Sequence, residues 1–295
     1  MRVLVTGGSG FIGRSLVNNF LELGYEVKVA DLVRPKVDVS YIEGDLRNNE
    51  VVSKAFLEDL DAVVHLAALT RVIESTIKPV EYLSSNVTML MNILEQIRLK
   101  EIPKLVFAST NAVVGNIGDK VINEMFPLNP LSPYGGTKAA GEMLISSYSH
   151  SFGFDATSLR FTNVYGIDME SKDSLIARIM KAISLKTQIE VYGSGNQVRD
   201  YVYISDVVNA ICLGLDLKGC NTLSIGSGVS TSVNEILKLI ENIVGNEIDY
   251  FYGSERVGEM KAVRVDISHA KELGFSPNIN IEEGLKLVSD WWPEK

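Results

Sequence analysis

Cysteine is scarce, with Cys212 and Cys220 the only two in 295 residues. Neither sits in a CxxC pair or in a cluster with metal-ligand spacing. The chain therefore carries no disulfide framework, and the pattern points to a reducing, cytoplasmic setting. Long apolar runs are missing as well: nothing approaches the ~18 consecutive apolar residues of a spanning helix. The opening residues, Met1-Arg2-Val3-Leu4-Val5, run straight into a strand and lack the apolar core and cleavage site of a signal peptide. Positive charge is in deficit, 28 Lys plus Arg against 37 Asp plus Glu, a formal net charge of -9. That balance argues against a general nucleic-acid binder and leaves room only for a local basic pocket. Low-complexity segments are absent. The remainder, 46% hydrophobic and 22% charged, is that of a globular chain near the size at which single cores begin to split.

What is present starts with a short apolar strand, Val3 to Val5, that stops at Thr6-Gly7-Gly8-Ser9-Gly10-Phe11-Ile12-Gly13. An amphipathic helix follows, with Ile12, Leu16, Phe20 and Leu23 on one side and Gly24 closing it. A second strand, Glu26 to Ala30, ends at Asp31. Strand, glycine turn, helix, strand and acid in this order form the context of a dinucleotide site. Gly7, Gly10 and Gly13 permit a tight turn, close approach of a pyrophosphate and packing of the helix on the sheet. The N–H groups of the helix start at Phe11 and Ile12 would hold the phosphates. Asp31 suits ribose hydroxyls and repels a 2′-phosphate, favouring NAD over NADP, although Arg34 lies three residues on. The spacing is Gly-x-x-Gly-x-x-Gly, and its bland alternative is a tight βα turn without a ligand.

Strands then alternate with helices. The expected elements are a strand at Tyr41-Ile42-Glu43, a helix over 49–57, a strand from Ala62 to Leu66, a helix over 79–100 and a strand from Lys104 to Ala108. Such alternation predicts an α/β fold with a doubly wound parallel sheet (Rossmann-type). Asp45-Leu46, Leu66-Ala67-Ala68 and Ser109-Thr110-Asn111 fall at strand ends, where such sheets bind ligands. His65 reads as a packed strand histidine. In the long helix, Leu83, Val87, Leu90, Leu94 and Ile97 form the expected core stripe. Met89 and Ile93 add a second apolar face, which suggests a subunit contact. Asn86 points from that helix.

The stretch Pro133-Tyr134-Gly135-Gly136-Thr137-Lys138 carries the candidate chemistry. Tyrosine and lysine four apart lie on one face of a helix. At ~4 Å and an effective dielectric of about 20, an ammonium stabilises a phenolate by about 4 kcal/mol, enough to bring a phenol towards neutrality as a general base. Ser132 and Pro133 suit the helix start as N-cap and first helical residue. Thr110 supplies a partner hydroxyl. Beyond Gly166, helices are expected near 173–186, 205–216, 232–244 and 281–291, with strands from Gln188 to Val191 and Thr222 to Ile225. Asp206 reads as a helix cap, and Trp291-Trp292 as terminal packing. The division expected is 1–166 for the dinucleotide and catalytic residues and 167–295 for a smaller C-terminal α/β substrate lobe, with segments returning to the first domain.

In this ordered series the chain resembles the extended short-chain dehydrogenase/reductase family, in its NAD-dependent sugar-nucleotide epimerase/dehydratase branch. The residues that carry it are Thr6 to Gly13, Asp45-Leu46, His65 to Ala68, Asn86, Phe107 to Gly115, Ser132 to Lys138 and Leu159 to Gly166. They continue with Tyr192-Gly193, Arg199 to Val202, Arg256 to Glu259 and Asp266. The resemblance implies that Tyr134 is the catalytic base and acid, and that Lys138 lowers its pKa and binds the nicotinamide ribose. It also implies that Thr110 hydrogen-bonds the sugar hydroxyl being oxidised. Asn86, Asn163, Arg199 and Arg256 are implied in substrate binding. Asn163 could otherwise cap a turn, and either arginine could be a surface pair. The implied activity is 4-epimerisation of a nucleotide-sugar, a UDP-hexose leading, by a homodimer that retains NAD. Two departures matter. Val114 stands where relatives carry tyrosine, and Asn111 and Ala112 stand where 4,6-dehydratases carry an acid. A dehydratase therefore ranks below a 4-ketosugar-nucleotide reductase. A dinucleotide-sensing scaffold is the reading from outside catalysis.

Overall fold

The structure, a computed structural model, describes residues 1–255 and 262–293. In chain order the first elements are β1 (Arg2–Thr6), α1 (Phe11–Glu22), β2 (Glu26–Asp31), β3 (Ser40–Glu43), α2 (Asn49–Ala55), β4 (Ala62–His65), α3 (Val72–Ile77), α4 (Pro79–Leu99), β5 (Lys104–Thr110) and β6 (Val121–Ile122). Then come α5 (Pro133–Phe152), β7 (Asp155–Phe161), β8 (Asn163–Tyr165), α6 (Leu175–Leu185), β9 (Ile189–Tyr192), β10 (Val198–Tyr203), α7 (Ile204–Asp216) and β11 (Cys220–Ile225). The last are β12 (Ser230–Ser232), α8 (Val233–Val244), β13 (Tyr250–Gly253), β14 (Arg264–Val265), α9 (Ser268–Glu272) and α10 (Ile281–Trp291).

Contacts divide these elements into two units, the first made of Met1–Asn116, Glu124–Phe161 and Val208–Leu223. Its sheet has seven strands in the order β3-β2-β1-β4-β5-β7-β11. The pairings from β3 through β7 are parallel. Strands buried on both faces read as near-continuous apolar runs; Val3, Leu4 and Val5 of β1 and Ala62, Val63 and Val64 of β4 are fully buried. Strand order reverses between β1 and β4, and the C-terminal ends at such a switch point are where ligands bind.

Helix α4 packs on α2, α3 and α5. Its buried stripe runs Tyr82, Ser85, Asn86, Leu90, Ile93, Leu94 and Ile97, each large apolar member contributing about 1.5–3 kcal/mol. The expected second apolar face is therefore internal: Ile93 is fully buried and Met89 packs against the same core. Leu83, expected inside, is exposed. The reason is rotational: Tyr82 fills the inward position one residue earlier, which turns Leu83 out. Leu23 is likewise exposed; α1 buries Leu16, Val17 and Phe20 instead. Helix α5 begins as expected, the Ser132 hydroxyl accepting from Gly135 N–H at 3.1 Å with Pro133 first. It ends at Gly153, whose φ of 75° is left-handed.

The second unit comprises Ile117–Asn123, Thr162–Val207 and Ser224–Lys295. Its β10 pairs parallel with β8 and antiparallel with β12, and β9 with β13 and β6 with β14 make two small parallel pairs. Two buried carboxylates hold its loops. Asp200 accepts from Ser227 N–H and Gly228 N–H, each at 2.8 Å. Asp206 does not cap α7; it accepts from Asn278 N–H at 2.9 Å and Ile279 N–H at 3.2 Å. Being fully buried in the first turn of α7, it anchors the backbone that leads into α10. Trp291 and Trp292 meet edge to face at 6.0 Å.

Candidate active site

The glycine turn between β1 and α1 is shaped by contacts that no side chain could share. At Gly13 a Cβ would lie 2.2 Å from Gly7 O, and at Gly7, with φ of 71°, it would lie 2.6 Å from Ala67 N. Gly10 is the N-cap of α1; no side chain caps the helix, and no acid lies in its first turn. That leaves an electropositive helix end at the turn, suited to a phosphate. At the tip of β2, Asp31 accepts from Ser9 N–H at 2.9 Å and Val33 N–H at 3.2 Å. Two carboxylate oxygens offer about four acceptor sites, so capacity remains for ribose hydroxyls. The turn, the helix end and the carboxylate fit a dinucleotide.

The neighbouring strand tips complete this edge. Leu66 N–H bonds Thr6 O at 3.1 Å, which sets Leu66-Ala67-Ala68 beside the glycine turn. Asp45 is held by Arg47 through two hydrogen bonds of 2.7 and 2.5 Å, and that guanidinium keeps its carboxyl below the ordinary range. Leu46 is buried in the core. His65 is a packing residue, as expected. Its Nδ1 lies 2.7 Å from Thr6 Oγ1, its ring stacks on Phe107, and burial, aided by Lys138, lowers it to about 3.

Thr110 ends β5, and Tyr134 opens α5. The Thr110 hydroxyl accepts from Ala112 N–H at 3.2 Å, and its influence on the phenol is to lower its pKa. Tyr134 and Lys138 are both buried. The expected pull of the lysine on the phenol is not what governs here. Burial pushes the Tyr134 phenol up to about 12, against the Thr110 hydroxyl. Lys138 itself is lowered to about 7 by burial, against the Glu142 carboxylate. Its Nζ donates to Ala108 O at 2.7 Å and stands 4.6 Å from the Phe107 ring centre. The ammonium is thus anchored on β5, and desolvation outweighs its attraction for a phenolate.

Asn86 lies at 6% exposure, with both amide N–H groups and one oxygen lone pair in use. It accepts from Leu69 N–H at 2.8 Å and donates to Leu69 O and Thr137 Oγ1, both at 3.0 Å. Thr137 in turn donates to Tyr134 O at 2.7 Å. Asn86 therefore clamps the loop after β4 to α5 and is not a polar surface residue. Glu142 and Arg160 were not singled out for chemistry by sequence. The signal available was spacing: Tyr134, Lys138 and Glu142 recur every four residues on one helical face. Val114 is buried, in keeping with a packing role. In the second unit, Asn163 donates to Asp200 O at 3.0 Å, and Arg199 donates to Val198 O at 2.9 Å. Arg256 and Glu259 lie outside the described residues.

Residues 3–226 match the model of the NAD dependent epimerase/dehydratase family. The chain belongs to that family. Among relatives in this family, it is 31% identical to a UDP-glucuronate 4-epimerase of Thermodesulfobacterium geofontis, over 99% of this chain and 96% of the other. A UDP-glucose 4-epimerase of Thermotoga maritima, solved with UDP-glucose, superposes with a TM-score of 0.94 at 32% identity, covering 99% of this chain and 98% of that one. A Thermus thermophilus UDP-glucose 4-epimerase solved with NAD gives 0.93 at 33% identity, with the same coverages.

Proposed function

We propose that the chain is an NAD-dependent nucleotide-sugar 4-epimerase acting on a UDP-hexose. One observation carries the reading: Thr110 at the C-terminal tip of β5 and a buried Tyr134 in the first turn of α5 stand at the ligand-binding end of the sheet, one helical turn before a buried Lys138. The family match and two structural relatives, one solved with UDP-glucose and one with NAD, support it.

NAD, when bound, would supply a hydride acceptor and donor for sugar C4. The chain's own residues do the rest. Gly7, Gly10, Gly13 and the N–H groups at Phe11 and Ile12 hold the pyrophosphate. Asp31 takes the adenosine ribose, while Asp45, Leu46 and the Leu66–Ala68 stretch wall the cofactor. Lys138 serves the nicotinamide ribose. Tyr134 removes the proton of the 4-hydroxyl and later restores one, and Thr110 fixes the same oxygen. Positioning of this kind provides much of the rate. Inversion would require a 4-keto sugar to present its opposite face before it is reduced. Asn111 and Ala112 have no carboxyl group, so no acid from these positions extends the reaction to dehydration.

Asn163, Arg199 and Arg256 are assigned to the substrate's diphosphate and flanking groups, and the lobe after residue 166 to substrate binding. The chain acts as a cytoplasmic homodimer in this reading. The exposed Leu83 and Met91 of α4 and Met143 of α5 support a face for a second copy. No helix of the described residues is long and apolar enough to cross a membrane. Mass analysis of nucleotides released from denatured protein tests the cofactor. NAD is expected; NADP alone, or no dinucleotide after saturation with NAD, would contradict it.

A further inference from the structure

The mechanism leaves a buried carboxylate unused beside the catalytic pair. Glu142 lies one turn beyond Lys138 on α5, with its side chain at 6% exposure. Ser109 Oγ donates to Glu142 Oε1 at 2.5 Å. Arg160 donates to Glu142 from Nε at 3.0 Å and from Nη2 at 2.7 Å. The three groups come from α5, β5 and β7, and Ser109 and Arg160 face each other in the β5–β7 register. Ser109 is also the residue before Thr110, so the network ends one peptide from the catalytic hydroxyl.

A buried ion pair is weak evidence of net stability, because desolvation offsets its attraction. Here an acid and a base are buried where the proposed chemistry needs a third buried charge, the Lys138 ammonium. Two cations and one anion then share the space between α5 and the sheet. We propose that Glu142, held by Ser109 and Arg160, is the positioning residue that keeps Lys138 charged at the catalytic tyrosine. This rests on the reading of Tyr134 and Lys138 as the proton-handling pair.

The charge bookkeeping around Lys138 is short. On its own helix are Glu142 and Tyr134; His65 approaches from β4, but burial keeps it neutral. Arg160 of β7 is paired with Glu142. On α4, Glu95 is taken by Arg98 and Tyr148, and on α3 Glu74 is taken by Tyr82 and Lys78. Residues Asn111–Val113 bring no titratable group. Glu142 is thus the anion that opposes desolvation of the ammonium, in line with the direction of the Lys138 shift.

The test follows the Lys138 13Cε resonance in the NAD holoenzyme as a function of pH, assigned by its loss in Lys138→Met. The alkaline limb of the activity profile is measured alongside. Glu142→Gln keeps the shape and hydrogen-bonding reach but removes the charge, and should weaken proton binding by Lys138 about tenfold, near 1.4 kcal/mol. The alkaline limb should fall to lower pH by the same amount. Arg160→Gln should move both the opposite way, since Glu142 then serves Lys138 alone. A structural role would not give shifts of opposite sign. Should either variant fail to fold, Ser109→Ala decides: losing its donated bond concentrates charge on Glu142 and should raise proton affinity at Lys138 about threefold. A Lys138 midpoint unmoved in every folded variant overturns the proposal. Because the resonance reports Lys138 whether or not turnover occurs, a failure of the epimerase reading is seen separately, as an inactive or differently active wild type.

Discussion

Replacing Gly13 by alanine should damage the fold, whereas replacing Gly10 should damage only the cofactor site. A Cβ at Gly13 would stand 2.2 Å from Gly7 O, 2.6 Å from Gly8 Cα and 2.7 Å from Gly8 C, all backbone. Real Cβ atoms essentially never come within 3.0 Å, so α1 and the turn must part by about 0.8 Å, the difference from 2.2 Å. Overpacking of that kind costs about 1–3 kcal/mol, which for a chain of this size lowers Tm by roughly 2–5 °C. At Gly10 the only near atom is Gly7 O at 3.2 Å, and φ of -75° suits any residue. Gly10→Ala asks Gly7 O to give by only a few tenths of an ångström and should keep Tm within about 1 °C, yet bind NAD at least about tenfold more weakly, because the methyl group occupies the pyrophosphate's approach. Calorimetric melting of NAD-free protein and titration with NAD separate the two effects. An unchanged Tm for Gly13→Ala, or full NAD affinity in Gly10→Ala, would refute the cradle as described.

Other outcomes follow from the same edge of the sheet. Asp31→Asn removes the charge that repels a 2′-phosphate, and the ratio of NADP to NAD affinity should rise about tenfold by titration; no change would remove Asp31 from the ribose site. For His65, the unfolded imidazole binds a proton near its ordinary value while the folded one resists until about 3. The unfolded state therefore holds more protons across that window, and stability falls with falling pH by up to ~1.4 kcal/mol per unit. Urea unfolding at pH 7 and pH 5 should show a smaller acid loss in His65→Gln than in the native chain. Equal losses would mean that the imidazole charges in the fold. Met91→Glu places a carboxylate on the exposed stripe of α4 and should convert a dimer to monomers in sedimentation; an unmoved dimer would put the interface elsewhere.

The parallel sheet and the glycine turn were legible because buried strands carry apolar runs and the turn has a fixed spacing. Ser132 gave α5 its start for the same reason: capping is local chemistry. Other features were set by packing at a distance. Nothing near Leu83 in sequence shows that Tyr82 takes the inward position. Asp206 has the look of a cap, and its backbone partners at Asn278 and Ile279 are more than seventy residues away. The reversal at Tyr134 has the same origin. Spacing brought the lysine within a turn, but burial and the Ala108 carbonyl, both tertiary, decide the balance. Short strands such as β6, β12 and β14 escaped notice because each is only two or three residues long.

The central claim is reversible oxidation at a single sugar carbon, with the dinucleotide regenerated in place. Its most direct test is NMR of UDP-galactose incubated with purified NAD holoenzyme and no added reductant. The account predicts conversion towards UDP-glucose without net NADH, slowed by about 10²–10⁴-fold in a Tyr134→Phe variant that still retains NAD. Turnover that requires stoichiometric NAD(P)H with every UDP-hexose tried, or a product that has lost water, would contradict it.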